Sequence, residues 1–125
     1  MKKIALIATA ALMTTPAFAD NVFGTWKTET SDKGAHLEVN IKGCGDKICG
    51  VITKVFNSDN QTSKGKTMLK NMSADGDGAY SGGTIWAPDK DKTYKSTMKL
   101  KGANSLEVKG CVAFICLGQT WSRIK

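Results

Sequence analysis

Apolar residues recur at every second position over several stretches of the chain. In His36-Leu37-Glu38-Val39-Asn40-Ile41-Lys42, the residues Leu37, Val39 and Ile41 share one face. In 94–101, Tyr94, Met98 and Leu100 face one way, while Lys95, Lys99 and Lys101 face the other. Leu106 and Val108 alternate with Glu107 and Lys109 in the same manner. A period of two marks half-buried strands of an antiparallel sheet, and no segment carries a long amphipathic helical period. Turn signals separate these runs: Asp32-Lys33-Gly34, Gly45-Asp46, Asn57-Ser58-Asp59-Asn60, Asp75-Gly76-Asp77-Gly78, Pro88-Asp89-Lys90-Asp91 and Gly102-Ala103-Asn104. The punctuation predicts strands over 22–30, 35–42, 48–56, 66–72, 79–86, 92–101, 104–110 and 116–124, with 66–72 the weakest and readable as a short helical turn.

Short strands joined in order by tight turns form a meander, and a meander this long exposes two edges unless it closes. The sequence therefore predicts an all-β protein, an antiparallel up-and-down barrel of about eight strands. The interior of such a barrel is either filled by side chains or holds one small ligand. Phe56, Tyr80, Trp86, Tyr94 and Met98 are the candidates to line a ligand cavity, and they serve equally well as packed core.

The first residues stand apart from this pattern. Lys2 and Lys3 precede a run from Ile4 to Met13 that is apolar except for Thr9, and Ala17-Phe18-Ala19 follows. This is the layout of a secretory signal peptide over 1–19, cleaved between Ala19 and Asp20. The apolar run is shorter than the roughly 20 residues needed to span a bilayer. Asp20, not Cys, stands directly after the cleavage point, which speaks against a lipid anchor. Residues 20–125 then form a single domain whose core is modest for its size. An exported chain keeps its cysteines oxidised.

The four cysteines fall in two pairs of equal spacing, Cys44-Gly45-Asp46-Lys47-Ile48-Cys49 and Cys111-Val112-Ala113-Phe114-Ile115-Cys116. In a hairpin with a four-residue loop the flanking residues oppose one another, near disulfide range. Of the three connectivities four cysteines allow, the local bridges 44–49 and 111–116 are favoured. A four-Cys zinc site conflicts with export and usually has two to four intervening residues. Redox catalysis wants two intervening residues at a helix N-terminus, which this chain lacks.

Without Lys2 and Lys3 the formal charge falls from +7 to +5. The lysines are scattered and Arg123 is the single arginine, so no dense basic run points to nucleic acid. A solvated lysine-rich surface, or attraction to anionic lipid or polysaccharide, fits this distribution. His36, the single His, shares its strand face with Glu38 and Asn40 and reads as a surface residue. No triad partner or nucleophile elbow accompanies it. Asp75-Gly76-Asp77-Gly78 lacks the ligand set of a calcium loop and reads as a plain turn. Asp89 and Asp91 lie in a turn that solvent should reach, which does not separate them into acid and base. No catalytic residue, metal or cofactor is expected.

The two ends of the chain suggest a closure. Gly24-Thr25-Trp26 opens the first strand and Gln119-Thr120-Trp121-Ser122-Arg123 closes the last. In a closed barrel these strands are neighbours, so a guanidinium from the last can lie on an indole of the first, an arrangement worth about 0.5–2 kcal/mol. Gly24 permits close approach there. Gly24, Trp26, Trp121 and Arg123 are the expected plug. This pairing resembles the calycin superfamily of lipocalins and fatty-acid-binding proteins, in which Gly-x-Trp on the first strand meets Arg or Lys on the last and seals one barrel end.

A second resemblance covers nearly the whole of residues 20–125. The series Gly24-Thr25-Trp26, Cys44-Gly45, Cys49-Gly50, Gly82-Gly83, Pro88-Asp89, Thr93-Tyr94, Gly110-Cys111 and Thr120-Trp121-Ser122-Arg123 is similar to the exported bacterial proteins grouped as domain-of-unknown-function family 2147. That resemblance implies a small exported barrel, periplasmic or secreted, with no established reaction. The expectation is a non-enzymatic, monomeric binding module holding a small apolar or amphipathic molecule at its open mouth. The alternative is a module that meets an envelope protein partner through its loops, using the tips 44–49 and 111–116 and the 57–66 loop. Val112-Ala113-Phe114-Ile115 is unusually apolar for a hairpin tip.

Overall fold

A computed structural model describes residues 20–125; the signal segment read over 1–19 lies outside the described residues. Eight strands run in order: β1 (Gly24–Lys27), β2 (His36–Cys44), β3 (Lys47–Phe56), β4 (Thr67–Gly76), β5 (Ala79–Ala87), β6 (Lys92–Leu100), β7 (Ser105–Val112) and β8 (Ile115–Arg123). Each pairs antiparallel with the next, and β8 returns to β1, closing the barrel. The closing seam is short, with only Trp26 opposite Arg123 and Lys27 opposite Ser122. Beyond it, the backbone of Thr25 exchanges hydrogen bonds with the chain end: Thr25 N–H donates to Lys125 O (2.7 Å) and Ile124 N–H to Thr25 O (2.8 Å).

Three local expectations change. β1 ends at Lys27, well short of residue 30, because the Thr28 hydroxyl takes the N–H of Leu37 (2.9 Å) and the segment then turns away. β4 is a full ten-residue strand, where the sequence offered a weak one or a helical turn. Its lysine and asparagine hid the period, since Lys70 and Asn71 interrupt the buried series Met68, Leu69 and Met72. The cysteine hairpins turn on two residues, not four. Cys111 and Cys116 oppose each other one pair below the Ala113-Phe114 turn. Cys44 pairs with Lys47 and Cys49 with Lys42, so the bridge between them runs diagonally.

Glycine is required where β4 and β5 approach most closely. A Cβ on Gly83 would overlap the carbonyl oxygen of Lys70 and lie 2.8 Å from the Met72 nitrogen. The register shift between Tyr80 and Gly83 belongs to the same squeeze.

Because consecutive strands alternate direction, the connections sort into two ends. The N-terminal residues 20–23, the 45–46 and 77–78 turns, the 101–104 turn and the chain end lie at one. The 28–35, 57–66, 88–91 and 113–114 segments lie at the other. The core fills the first end. Val22, Trp26, Ile41, Ile48, Leu69, Met72 and Leu106 are essentially inaccessible there. Burying each such large side chain contributes about 1.5–3 kcal/mol before entropy is counted. The interior is thus neither wholly filled nor wholly hollow: it is packed at one end and open at the other.

Candidate functional site

The packed end is sealed as the chain termini suggested. The Arg123 guanidinium carbon stands 4.4 Å from the centroid of the fully buried Trp26 ring. Its three nitrogens each find a carbonyl: Nε donates to Ala103 O (2.8 Å), Nη1 to Phe23 O (2.9 Å) and Nη2 to Asn21 O (2.6 Å). Trp26 Nε1 donates to Val22 O (2.9 Å). Gly24 has φ +138°, and a Cβ there would meet Lys125 O at 2.6 Å and Arg123 Nη1 at 2.7 Å. One arginine therefore stitches the N-terminal segment, the 101–104 turn and β1 together.

Asp20 adds a polar bolt. Its Oδ1 accepts the Val22 N–H (3.0 Å) and, in a short hydrogen bond, the Tyr80 hydroxyl. Burial pushes the Tyr80 phenol well above its ordinary range, and the Asp20 carboxylate, as hydrogen-bond acceptor and as charge, pushes it further. Tyr80 stays protonated as a donor.

The opposite end holds a cavity of about 1280 Å³, open at the mouth. Leu37, Val55, Met68, Ile85, Tyr94 and Val108 form its walls, and the wholly buried Trp121 closes its base. Trp121 Nε1 donates to Gln119 Oε1 (2.9 Å), so the base presents a satisfied indole. Polar groups gather at the rim. Lys66 Nζ stands 5.6 Å from the Trp86 centroid, and Trp86 Nε1 donates to Asp91 Oδ1 (2.8 Å). His36 stacks on Phe56 with centroids 4.5 Å apart and rings 8° from parallel.

One wall rises above the rest. Gly110, Val112, Ile115 and Leu117 share a face of the β7–β8 hairpin, since Gly110 pairs with Leu117 and Val112 with Ile115. That face is the inner one, because a Cβ on Gly110 would touch Ile85 and Tyr94. Val112, Ile115 and Leu117 line the cavity yet are 59%, 67% and 76% exposed. The reason lies across the seam: β1 is too short to flank them. Glu29 Oε2 accepts the Thr120 N–H (2.7 Å), the last tie between the 28–35 segment and β8.

The aromatic candidates do not form one group. Trp86 and Tyr94 line the cavity. Trp86, paired with Thr93, lies on the opposite face from the Ile85–Tyr94 pair and reaches the cavity at the rim. Phe56 sits behind the rim under His36. Tyr80 and Met98 are buried nearer the sealed end and border a separate shallow recess of about 270 Å³ shared with Asp75, Lys99, Glu107 and Lys109. Trp26 and Arg123 are stacked in the plug, while Trp121 lies above them at the cavity base. Sequence reasoning missed Val55, Ile85, Val108 and Leu117. The signal was present in the inner-face series Leu106, Val108, Gly110, Val112 and Ile115, Leu117, Gln119, Trp121, which continues through the cysteine hairpin.

His36 keeps the strand face of Glu38 and Asn40 but, at the top of β2, borders the cavity. Asp89 and Asp91 stand at the rim, Asp91 engaged with Trp86. Asp77-Gly78 is a tight turn with both residues at positive φ. Among the described residues, no cluster of three or more His, Cys, Asp or Glu side chains could hold a metal ion, and no helix is long and apolar enough to cross a membrane. The two disulfide tips lie at opposite ends of the barrel, 44–49 beside the plug and 111–116 above the mouth.

An eight-stranded antiparallel barrel, plugged at one end by an arginine on a tryptophan and open to an apolar cavity at the other, is a lipocalin-like fold. The chain belongs to the DUF2147 family of uncharacterised proteins conserved in bacteria, whose model matches residues 24–123. A solved structure, protein HP1028 from Helicobacter pylori, described as belonging to the lipocalin family, superposes with a TM-score of 0.70 at 16% identity. The match covers 83% of each chain. No curated protein sequence matches the chain.

Proposed function

We propose that the protein is an exported, non-catalytic carrier for an elongated amphipathic small molecule, working in the bacterial periplasm or outside the cell. The observation that carries this reading is the inner-face track that rises from the buried Trp121 past Gln119 to Leu117, Ile115 and the hairpin tip, apolar but for Gln119 and open to solvent above it. At about 3.3 Å per residue the track is about 20 Å long, the scale of an extended acyl chain. Apolar pockets with a few polar groups at one side orient amphiphiles by sinking the apolar body and leaving the head at the rim. Lys66, Lys90 and His36 stand there among Glu29, Asp89 and Asp91. The lipocalin-like fold and the two disulfides support the reading of a secreted binder. Cleavage between Ala19 and Asp20 would leave Asp20 free to seat against Tyr80 in the plug.

A fluorescent long-chain fatty acid titrated into the purified protein tests the role. The expected result is saturable one-to-one binding that Leu117→Lys weakens at least about tenfold without lowering the melting temperature. Absence of saturable binding, or equal binding by the variant, would sink the carrier reading.

A further inference from the structure

We infer that the apex of the β7–β8 hairpin docks into the surface of an anionic lipid bilayer, with the cavity mouth facing the lipid. Phe114 is 101% exposed at the turn and lies outside the cavity lining. Below it, Val112, Ile115 and Leu117 carry the apolar inner face down to the cavity. The bridge Cys111–Cys116 ties the two strands directly beneath the apex, so these side chains are presented on a braced hairpin.

The outer face supplies the charge that selects lipid as occupant. Register pairs run in one row from Lys70 through Thr84 and Lys95 to Cys111 and Cys116. Lys109 lies one row lower, opposite Gly118. Lys95 and Lys109 thus face outward at the hairpin's base and Lys70 stands three strands away in the same row, while the acids nearby are Glu107, 3.9 Å from Lys109, and Glu29, Asp89 and Asp91 at the cavity rim. Lys95, level with Cys111, stands about 7–10 Å below the apex and Lys109 about 15 Å below it, at about 3.3 Å per residue. Interfacial elements bury their apolar face about 5–10 Å into the headgroup boundary, which would set Lys95 at the level of anionic phosphates with Lys109 just beneath. A protein partner would cover one face of the hairpin; a bilayer meets the apolar apex and the cation row together, and is continuous with the apolar cavity. Passage of an amphiphile between bilayer and track rests on the proposed carrier role; the docking itself does not.

Sedimentation with vesicles of equal parts phosphatidylglycerol and phosphatidylethanolamine, against vesicles of phosphatidylcholine alone, tests the docking on ligand-free protein. The wild type should partition at least about tenfold more strongly onto the anionic vesicles. Phe114→Asp should lose most of that partition, and Lys95→Glu with Lys109→Glu should lose its dependence on lipid charge. Both variants should keep the wild-type melting temperature and fatty-acid binding. No partition by the wild type, equal partition onto both vesicle types, or undiminished partition by Phe114→Asp would overturn the inference. So would a wild-type dimer in light scattering that Phe114→Asp makes monomeric, because the apex would then be a self-contact. Failure of fatty-acid binding with vesicle docking intact would strike the carrier role alone.

Discussion

The two ends of this barrel are built from the same kind of strand and differ in what meets the inner face. At the sealed end the inward side chains find neighbours: Trp26 lies beneath Arg123, Val22 of the N-terminal segment is wholly buried in the core, and Tyr80 is bolted to Asp20. At the open end, the inward residues of β7 and β8 continue in the same alternation but face space. The cause is the length of β1, four residues long against nine on β8. Packed and unpacked apolar surface are thereby separated along the barrel axis. Apolar area at the bottom is buried once, by folding; apolar area at the top is left for something else to cover.

Trp26→Ala tests this division with the largest effect. It empties the centre of the plug and should cost about 3–5 kcal/mol, read as a lower denaturant midpoint. Arg123→Met comes next. It leaves the carbonyls of Asn21, Phe23 and Ala103 without their donor and removes the cation from the indole, a loss of about 2–3 kcal/mol in the same experiment.

Tyr80→Phe should cost about 1 kcal/mol near neutral pH. It should also change the alkaline limb of stability. The unfolded phenol ionises near 10 and the folded one well above it, so Tyr80 contributes fully below pH 10 and its contribution falls as pH climbs beyond. Melting curves from pH 8 to 11 should decline less steeply in the variant. At the other end, Leu117→Ala should move stability by no more than about 0.5 kcal/mol, since the side chain is already exposed. A large loss there would break the comparison.

How much of this was legible in the chain follows from where local pattern and tertiary contact agree. The alternation of Leu37, Val39 and Ile41 reports its own strand, and the Gly24, Trp26 and Arg123 plug follows from closure. The 44–49 and 111–116 bridges follow from hairpin spacing, although their turn length does not, because a two-residue and a four-residue loop place the same residues within reach. The extent of β4 was hidden because Lys70 and Asn71 break its apolar series. The cavity was half legible. Trp86 and Tyr94, offered with Phe56, Tyr80 and Met98 as cavity lining or packed core, line the cavity, whereas Tyr80 looks the same in sequence and sits in the core. What decides between them is depth along the barrel, which depends on strand stagger and on the early end of β1. Neither is written in local composition.

The division between a packed end and a receiving end can be read directly by recording amide correlation spectra of the protein as a saturated long-chain fatty acid is added. Shifts should appear at Leu37, Tyr94, Val108 and Leu117, with Ile41, Ile48, Tyr80 and Leu106 unmoved. Shifts centred on the latter group, or none anywhere, would contradict the account.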